Sequence, residues 1–93
     1  MQEPLDSAYY EELRGKTRAI LIEVADLISG AQAGLIDELI DANESGVALE
    51  EMISIIKELK LNLDPSLIEQ IIRLADFMKL RIDTSHLVGL EIE

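Results

Sequence analysis

The amino-acid sequence predicts an all-α protein, a compact bundle of about four antiparallel helices followed by a short C-terminal turn or tail. Three observations predict this fold class. Apolar residues recur at steps of three and four along four segments, and short polar turns separate those segments. No Asn-Gly or Asp-Gly hairpin turn occurs, and no stretch alternates apolar and polar residues as a half-buried strand does. A chain of 93 residues supports one modest core, so we expect a single domain over residues 1–93.

The first helix is expected to begin near Asp6 or Ser7, since both residue types are favourable N-caps, and to end at Gly30. Gly15 lies inside this segment and is a candidate bend, because glycine destabilises a helix interior. The apolar residues that would share one face are Tyr9, Leu13, Ile20, Val24, Leu27 and Ile28.

The second helix is expected from about Gln32 to Asn43, and the third from about Val47 to Leu61, with the turn Glu44-Ser45-Gly46 between them. The residues expected on the inner side of the second helix are Leu35, Ile36, Leu39 and Ile40. The third helix has the strongest apolar stripe, formed by Leu49, Met52, Ile53, Ile56 and Leu59.

The sharpest local signal precedes the fourth helix, where Asp64 can act as N-cap and Pro65 can occupy the first helical position. We expect this helix to extend to about Lys79. Its inner stripe would comprise Leu67, Ile71, Leu74, Ala75 and Met78, widened by Ile68 and Ile72. Asp83 and Thr84 could cap a last short turn through Leu87, before an acidic end.

Composition restricts the function classes. The chain has 19 acidic and 8 basic residues and a formal net charge of −11, which repels phosphate backbones and anionic lipids. We therefore expect no direct binding of nucleic acid or membrane, and we expect a basic macromolecular partner. The first residues lack the apolar run of a secretory signal, no segment is long and apolar enough to span a membrane, and there is no cysteine. These features favour the cytoplasm.

The acidic residues are unevenly distributed. Residues 19–56 contain eight acids and no Lys or Arg: Glu23, Asp26, Asp37, Glu38, Asp41, Glu44, Glu50 and Glu51. At 100° per residue, Asp37, Asp41 and Glu44 fall on one side of the second helix, and we call these three residues the acidic ridge. A simpler interpretation is a solvated outer face, with Glu50 and Glu51 favoured by the positive end of the third helix.

The sequence offers little for catalysis. The carboxylate pairs Asp37 with Asp41 and Glu50 with Glu51 have no flanking histidine, and His86 stands alone. We therefore expect a protein that is not an enzyme and has no catalytic residue, metal site or cofactor. Acyl carrier proteins are acidic helical bundles of this size, but their Asp-Ser-Leu attachment signal is interrupted here by Pro65. An exposed Tyr10 is a candidate binding anchor, whereas burial at the edge of the core is the alternative.

Residues 39–80 carry a family resemblance. Glu44-Ser45-Gly46-Val47-Ala48-Leu49-Glu50 is followed by an amphipathic segment, the helix start Leu63-Asp64-Pro65 and a closing apolar segment that ends at Leu80. This order resembles the MafI-like family of small immunity proteins, which protect bacteria from polymorphic or contact-dependent toxins. The family more often has glycine before the glutamate and an aromatic residue after it, where this chain has Asn43 and Ser45.

The resemblance implies an immunity protein that binds and neutralises a cognate toxin C-terminal domain, expected to be basic and to be a nuclease. The acidic surface would fill the toxin's active-site cleft, or bind beside it and exclude the substrate sterically. The alternative is a helical protein–protein interaction or dimerisation module with a regulatory or structural role, in which Ile68 and Ile72 provide surplus apolar surface. Either a monomer or a homodimer is compatible with the sequence. The expected partner contacts are Asp37, Glu38, Asp41, Glu44, Glu50, Glu51 and Tyr10.

Overall fold

The computed structural model of the chain describes residues 4–80. Within this range the helices are α1 (Pro4–Val24), α2 (Gly30–Asp41), α3 (Ser45–Leu59) and α4 (Pro65–Phe77), and a 3₁₀ turn (Ala25–Leu27) follows α1. The predicted all-α bundle is confirmed, and the described part of the chain contains no strand. No helix within it is long and apolar enough to cross a membrane. The expected last turn at residues 83–87 and His86 lie outside the described residues.

The start of α2 corrects the expected end of the first helix. α1 continues through Gly15 and ends at Val24, and Gly30 begins α2 instead of ending α1. The reason is a capping box. The Ser29 side chain accepts a hydrogen bond from the Gln32 amide at 3.0 Å, and the Gln32 side chain accepts one from the Ser29 amide at 2.9 Å. Two otherwise unpaired backbone donors are thereby satisfied, and the helix starts two residues before its expected position.

The helices α2, α3 and α4 each end two residues earlier than predicted, for one shared reason. A residue with positive φ follows each helix, namely Asn43 at 63°, Lys60 at 53° and Lys79 at 58°. In this left-handed conformation the next amide donates back to a carbonyl of the last turn, as from Leu61 to Ile56 at 3.1 Å. Three non-glycine residues therefore occupy positions that glycine adopts at lower energy.

The fourth helix begins as predicted. Pro65 is its first residue, and the Asp64 carboxylate accepts a hydrogen bond from the Ser66 amide at 3.3 Å. This geometry stabilises the helix start because proline has no amide proton to leave unpaired and Asp64 satisfies the next donor. The helix start at Asp64-Pro65 is therefore confirmed.

The core lies where α1 packs against α2, α3 and α4. Thr17 of α1 is polar and fully buried, and its hydroxyl donates to the Leu13 carbonyl at 2.7 Å. Ile68 is buried, so it does not provide the surplus apolar surface that the sequence suggested. The largest fully buried side chains are Ile36, Ile40, Leu49, Met52, Ile56, Ile68, Ile71, Val24 and Thr17.

Three residues that were expected to face inward are nearly half exposed. Leu35 is 48% exposed, because Ile36 and Ile40 occupy the inner side of α2 and Leu35 lies one residue, or 100°, away from Ile36. Leu27 is 45% exposed because the 3₁₀ turn breaks the α-helical register. Leu59 is 49% exposed at the last position of α3.

Candidate partner-binding surface

Two of the three acidic-ridge residues are paired with a base from another helix. Arg18 of α1 donates from Nε and Nη2 to Oδ1 of Asp37 at 3.1 and 2.9 Å, and from Nη2 to Oδ1 of Asp41 at 2.8 Å. Arg18 immediately precedes the segment without Lys or Arg, so the sequence did not reveal this contact. Residues 19–56 contain no Lys or Arg that could pair with their acids. In the folded chain, however, Arg18 from outside this segment pairs with Asp37 and Asp41.

The Arg18 contacts change the electrostatics of α2. The hydrogen bond with Asp37, followed by that with Asp41, raises the pKa of the Arg18 guanidinium above its ordinary value. A guanidinium is charged at neutral pH in any case, so the formal charges of Arg18, Asp37 and Asp41 sum to −1. Arg14 lies one turn before Arg18 and donates to Oδ1 of Asn43. These two arginines attach one flank of α1 to α2 and to the turn that follows it.

The other predicted acids remain unpaired within residues 4–80. Glu38, Glu44 and Glu50 are exposed and Glu51 is partly buried, and no ion pair involves any of them in the described part of the chain. We call these four residues the unpaired acids. They lie on α2, on the α2–α3 connection and on α3, which are adjacent helices. Within residues 4–80, no Lys or Arg would have to be displaced for a basic molecule to contact these carboxylates.

Glu44 has a distinctive position. It is the N-cap residue of α3, and its side chain makes no capping hydrogen bond. The helix dipole stabilises a carboxylate at this end. Glu44 and Glu51 are seven residues apart and fall within about 20° of each other around α3. The first turn of α3 contains no acidic residue, so the positions of Glu50 and Glu51 are not explained by the positive helix end.

Tyr10 belongs to an aromatic cluster that the sequence did not predict. Its ring lies edge-on to Tyr9 at 5.5 Å between ring centroids, and Tyr9 lies 5.7 Å from Phe77 of α4. The Lys16 ammonium is 5.3 Å from the centroid of the Phe77 ring. Phe77 was not part of the predicted apolar stripe of α4. An aromatic residue on a helix but outside its apolar stripe is expected at the surface, and this signal could have identified the cluster.

A groove of about 350 Å³ lies beside this cluster, between α1 and α4. Lys16 pairs with Glu12 at 3.5 Å on α1, and Arg73 pairs with Glu69 at 2.7 Å on α4. Both pairs are exposed, and the two members of each pair are separated by one helical turn. The residues that line the groove are Lys16, Ala19, Ile20, Gln70, Arg73, Leu74 and Phe77. The groove thus combines an apolar wall with alternating charges.

Neither surface has the donor set of a metal site, since no group of three or more His, Cys, Asp or Glu side chains converges within the described residues. Comparison of the chain with protein-family models, curated proteins and solved structures gives no match. What these surfaces can do therefore follows from their geometry. The unpaired acids can attract and contact a basic surface, and the aromatic groove can bind an apolar one.

Proposed function

We propose that the protein is an immunity protein that acts in the cytoplasm by binding and neutralising a basic toxin domain, with a nuclease as the expected toxin. The observation that supports this proposal most is the group of unpaired acids on α2, α3 and their connection. In this proposal the chain is not an enzyme and uses no cofactor, because inhibition requires only that the partner's cleft is filled or covered. Its MafI-like sequence pattern favours the same function.

The mechanism rests on charge placed on rigid elements. Exposed carboxylates on packed helices give a fixed negative potential, which accelerates encounter with a basic domain and orients the complex. A nuclease cleft binds phosphates with basic side chains, so carboxylates at similar spacing compete for the same groups. Association should weaken as salt is raised, because screening acts strongly on exposed charges.

The Arg18 contacts divide the predicted contact residues into two classes. Glu38, Glu44, Glu50 and Glu51 are available at once, and we assign them the main role in binding. Arg18 already donates to Oδ1 of Asp37 and of Asp41 and offsets part of their charge, so a basic partner gains less from these two carboxylates. We therefore assign these two residues a secondary role.

The test uses the product of a toxin gene adjacent to this one as the binding partner. Its toxic domain is immobilised, and binding of the full chain is measured by surface plasmon resonance at low and physiological salt. The test variant replaces the unpaired acids with glutamine. A matched control replaces Glu11, Glu23, Glu58 and Asp76 with their amides, so that both variants change the formal net charge from −11 to −7.

We expect the test variant to lose at least about tenfold in affinity and the control to stay within about threefold, since fixed contacts contribute more than overall charge. Coexpression of the native chain should also restore growth of cells that produce the toxin. Equal losses in both variants would show that only net charge matters. Undiminished binding by the test variant would remove the unpaired acids from the interface.

The aromatic cluster favours a second candidate function, a helical interaction or dimerisation module with a regulatory or structural role. The exposed rings of Tyr10 and Phe77 support this function. Ile68 and Ile72 do not support it, because Ile68 is buried and Ile72 is partly buried. Light scattering distinguishes the two functions. A salt-insensitive dimer without affinity for a basic domain favours the module, whereas salt-sensitive binding of that domain favours the immunity protein.

A further inference from the structure

Val47 is an exposed apolar residue that lies between three of the unpaired acids. It is in the first turn of α3 and is 45% exposed. Glu44 precedes it by three residues, and Glu50 and Glu51 follow it by three and four, separations that make residues neighbours on a helix surface. At 100° per residue, Glu50 falls about 60° to one side of Val47, and the other two acids fall about 40° to 60° to the other side. The three carboxylates therefore flank Val47 on both sides.

The core fixes the orientation of Val47. The next two residues, Ala48 and Leu49, have no exposed surface, and neither has Met52. The helix α3 cannot rotate about its axis without exposing these side chains, and exposure of apolar area costs free energy. Val47 and the neighbouring acids are therefore held outward by a rigid element, so that a partner loses little entropy in ordering them.

Local helix preferences do not favour valine at position 47. β-branched residues have lower helix propensity than alanine, glutamate or glutamine, and the first turn of a helix favours acidic side chains. Leu35 is similarly exposed, at 48%, but it has one unpaired acid, Glu38, within one turn. Positions that depart from local preference are where a functional role is expected, and Val47 combines such a departure with three adjacent carboxylates.

The charges along α3 near Val47 are negative. Seven residues further on, Ser54 is neutral, and Glu58 follows on the same side of the helix. The base of α3, Lys57, is ten residues from Val47, or about 15 Å along the helix axis. Exposed charges are largely screened beyond about 8 Å at physiological salt. No base of α3 therefore offsets the three acids around Val47.

The neighbouring elements do not reverse this charge. The helix α2 contributes acids and no base. Arg14 of α1 donates to Asn43, and Lys79 precedes Leu80, which lies beside Gly46. Within residues 4–80, neither base forms an ion pair with the acids around Val47. A surface that covers this part of α3 must therefore combine apolar and basic groups.

We propose that Val47 is the apolar centre of the partner interface, and that the toxin domain covers it with an apolar depression framed by lysine or arginine side chains. This inference rests on the proposed function and adds the residue that determines the lifetime of the complex. An apolar centre inside a polar rim is the usual composition of a protein interface. The centre excludes water and slows dissociation, whereas the charged rim accelerates encounter.

The test measures the association and dissociation rate constants separately, by surface plasmon resonance of the full chain on the immobilised toxic domain. Val47→Ala removes two apolar carbon atoms. Val47→Thr keeps the branched shape and the low helix propensity but replaces a methyl group with a hydroxyl group. Ile22→Thr is the matched control, since it makes the same kind of change at a side chain that is 68% exposed on α1, a helix without any of the unpaired acids.

We expect the dissociation rate constant to rise at least about fourfold in Val47→Thr and at least about tenfold in Val47→Ala. The association rate constants of both variants, and their dependence on salt, should stay within about twofold of the native chain. The glutamine variant of the unpaired acids should show the opposite pattern, with slower association and a weaker salt dependence. Urea denaturation verifies that each variant is folded, and the midpoint of Val47→Thr should stay close to that of the native chain.

The contrary outcomes separate this inference from the proposed function. If the native chain does not bind the toxic domain, both are wrong. If the native chain binds and both Val47 variants dissociate at the native rate, only the role of Val47 is overturned, as it is if Ile22→Thr has an equal effect. A native dimer in light scattering that Val47→Thr dissociates would assign Val47 to a contact between copies and would also overturn the proposal.

Discussion

The left-handed residue at the end of α3 allows a quantitative prediction, which is that Lys60→Gly stabilises the protein. Lys60 has φ 53° and ψ 48°, a conformation that costs a residue with a Cβ atom about 1–2 kcal/mol. Glycine avoids this cost but loses about 0.5–1 kcal/mol through the greater freedom of the unfolded chain. At the middle of both ranges, the net gain in the free energy of unfolding is about 0.75 kcal/mol.

The measurement is equilibrium urea denaturation followed by circular dichroism, with a thermal scan in which the midpoint should rise by roughly 2–8 °C. Lys57→Gly is the matched control. It removes the same charge three residues earlier, within the last turn of α3, and should lower stability by about 1 kcal/mol. Lys79→Gly tests the same reasoning after α4, where φ is 58°.

The reasoning requires that Lys60→Gly raises the free energy of unfolding and that Lys57→Gly lowers it. If Lys60→Gly destabilised the protein as much as Lys57→Gly does, relief of backbone strain at residue 60 would be smaller than the entropy that glycine adds to the unfolded chain. A gain at residue 60 without any gain at residue 79 would restrict the explanation to the end of α3.

Three further predictions concern single contacts. Arg18→Gln should lower the free energy of unfolding, and the loss should shrink at high salt, because an exposed contact between α1 and α2 is removed. Asp64→Ala should lower the free energy of unfolding, measured by urea denaturation, by about 1 kcal/mol, since the Ser66 amide loses its acceptor. Asp64→Asn keeps an acceptor oxygen and should retain most of the native stability. Gly46→Ala should stabilise α3 by about 0.4–1 kcal/mol in the same assay, because the added methyl group would meet Leu80 at an ordinary 3.5 Å.

Each of these three predictions has a distinct contrary outcome. A loss in Arg18→Gln that is independent of salt would indicate packing of the aliphatic stem instead of charge. No change in Asp64→Ala would mean that Pro65 alone fixes the start of α4. Destabilisation by Gly46→Ala would show that Leu80 cannot adjust to an ordinary contact.

The sequence predicted the order and type of the helices because their signals are local. Asp64 and Pro65 act on the backbone within one turn, and the apolar spacing of α3 and α4 specifies one face of each helix. The helix ends were less predictable. Lys60 and Lys79 end their helices in a conformation that is rare for lysine, so their residue type does not indicate a helix end, whereas asparagine, as at Asn43, adopts this conformation more often.

The candidate surfaces depended more strongly on the tertiary structure. The sequence revealed the acids, but the pairing of Arg18 with Asp37 joins residues that are 19 positions apart, and only the packing of α1 on α2 brings them together. The contact between Tyr9 and Phe77 likewise requires α1 to pack against α4. No local sequence pattern specifies which side of a helix packs against which neighbouring helix.

By itself, the sequence determined an acidic, all-helical chain and the positions of the carboxylates that we propose as contacts for a basic partner. Local propensity, capping and charge are properties of short segments, so they are readable along the chain. Only the tertiary structure decided that Asp37 and Asp41 are paired while, within the described residues, Glu38, Glu44, Glu50 and Glu51 are not. It also decided that Tyr9 contacts Phe77, because distances between side chains on different helices are set by the packing of the whole bundle.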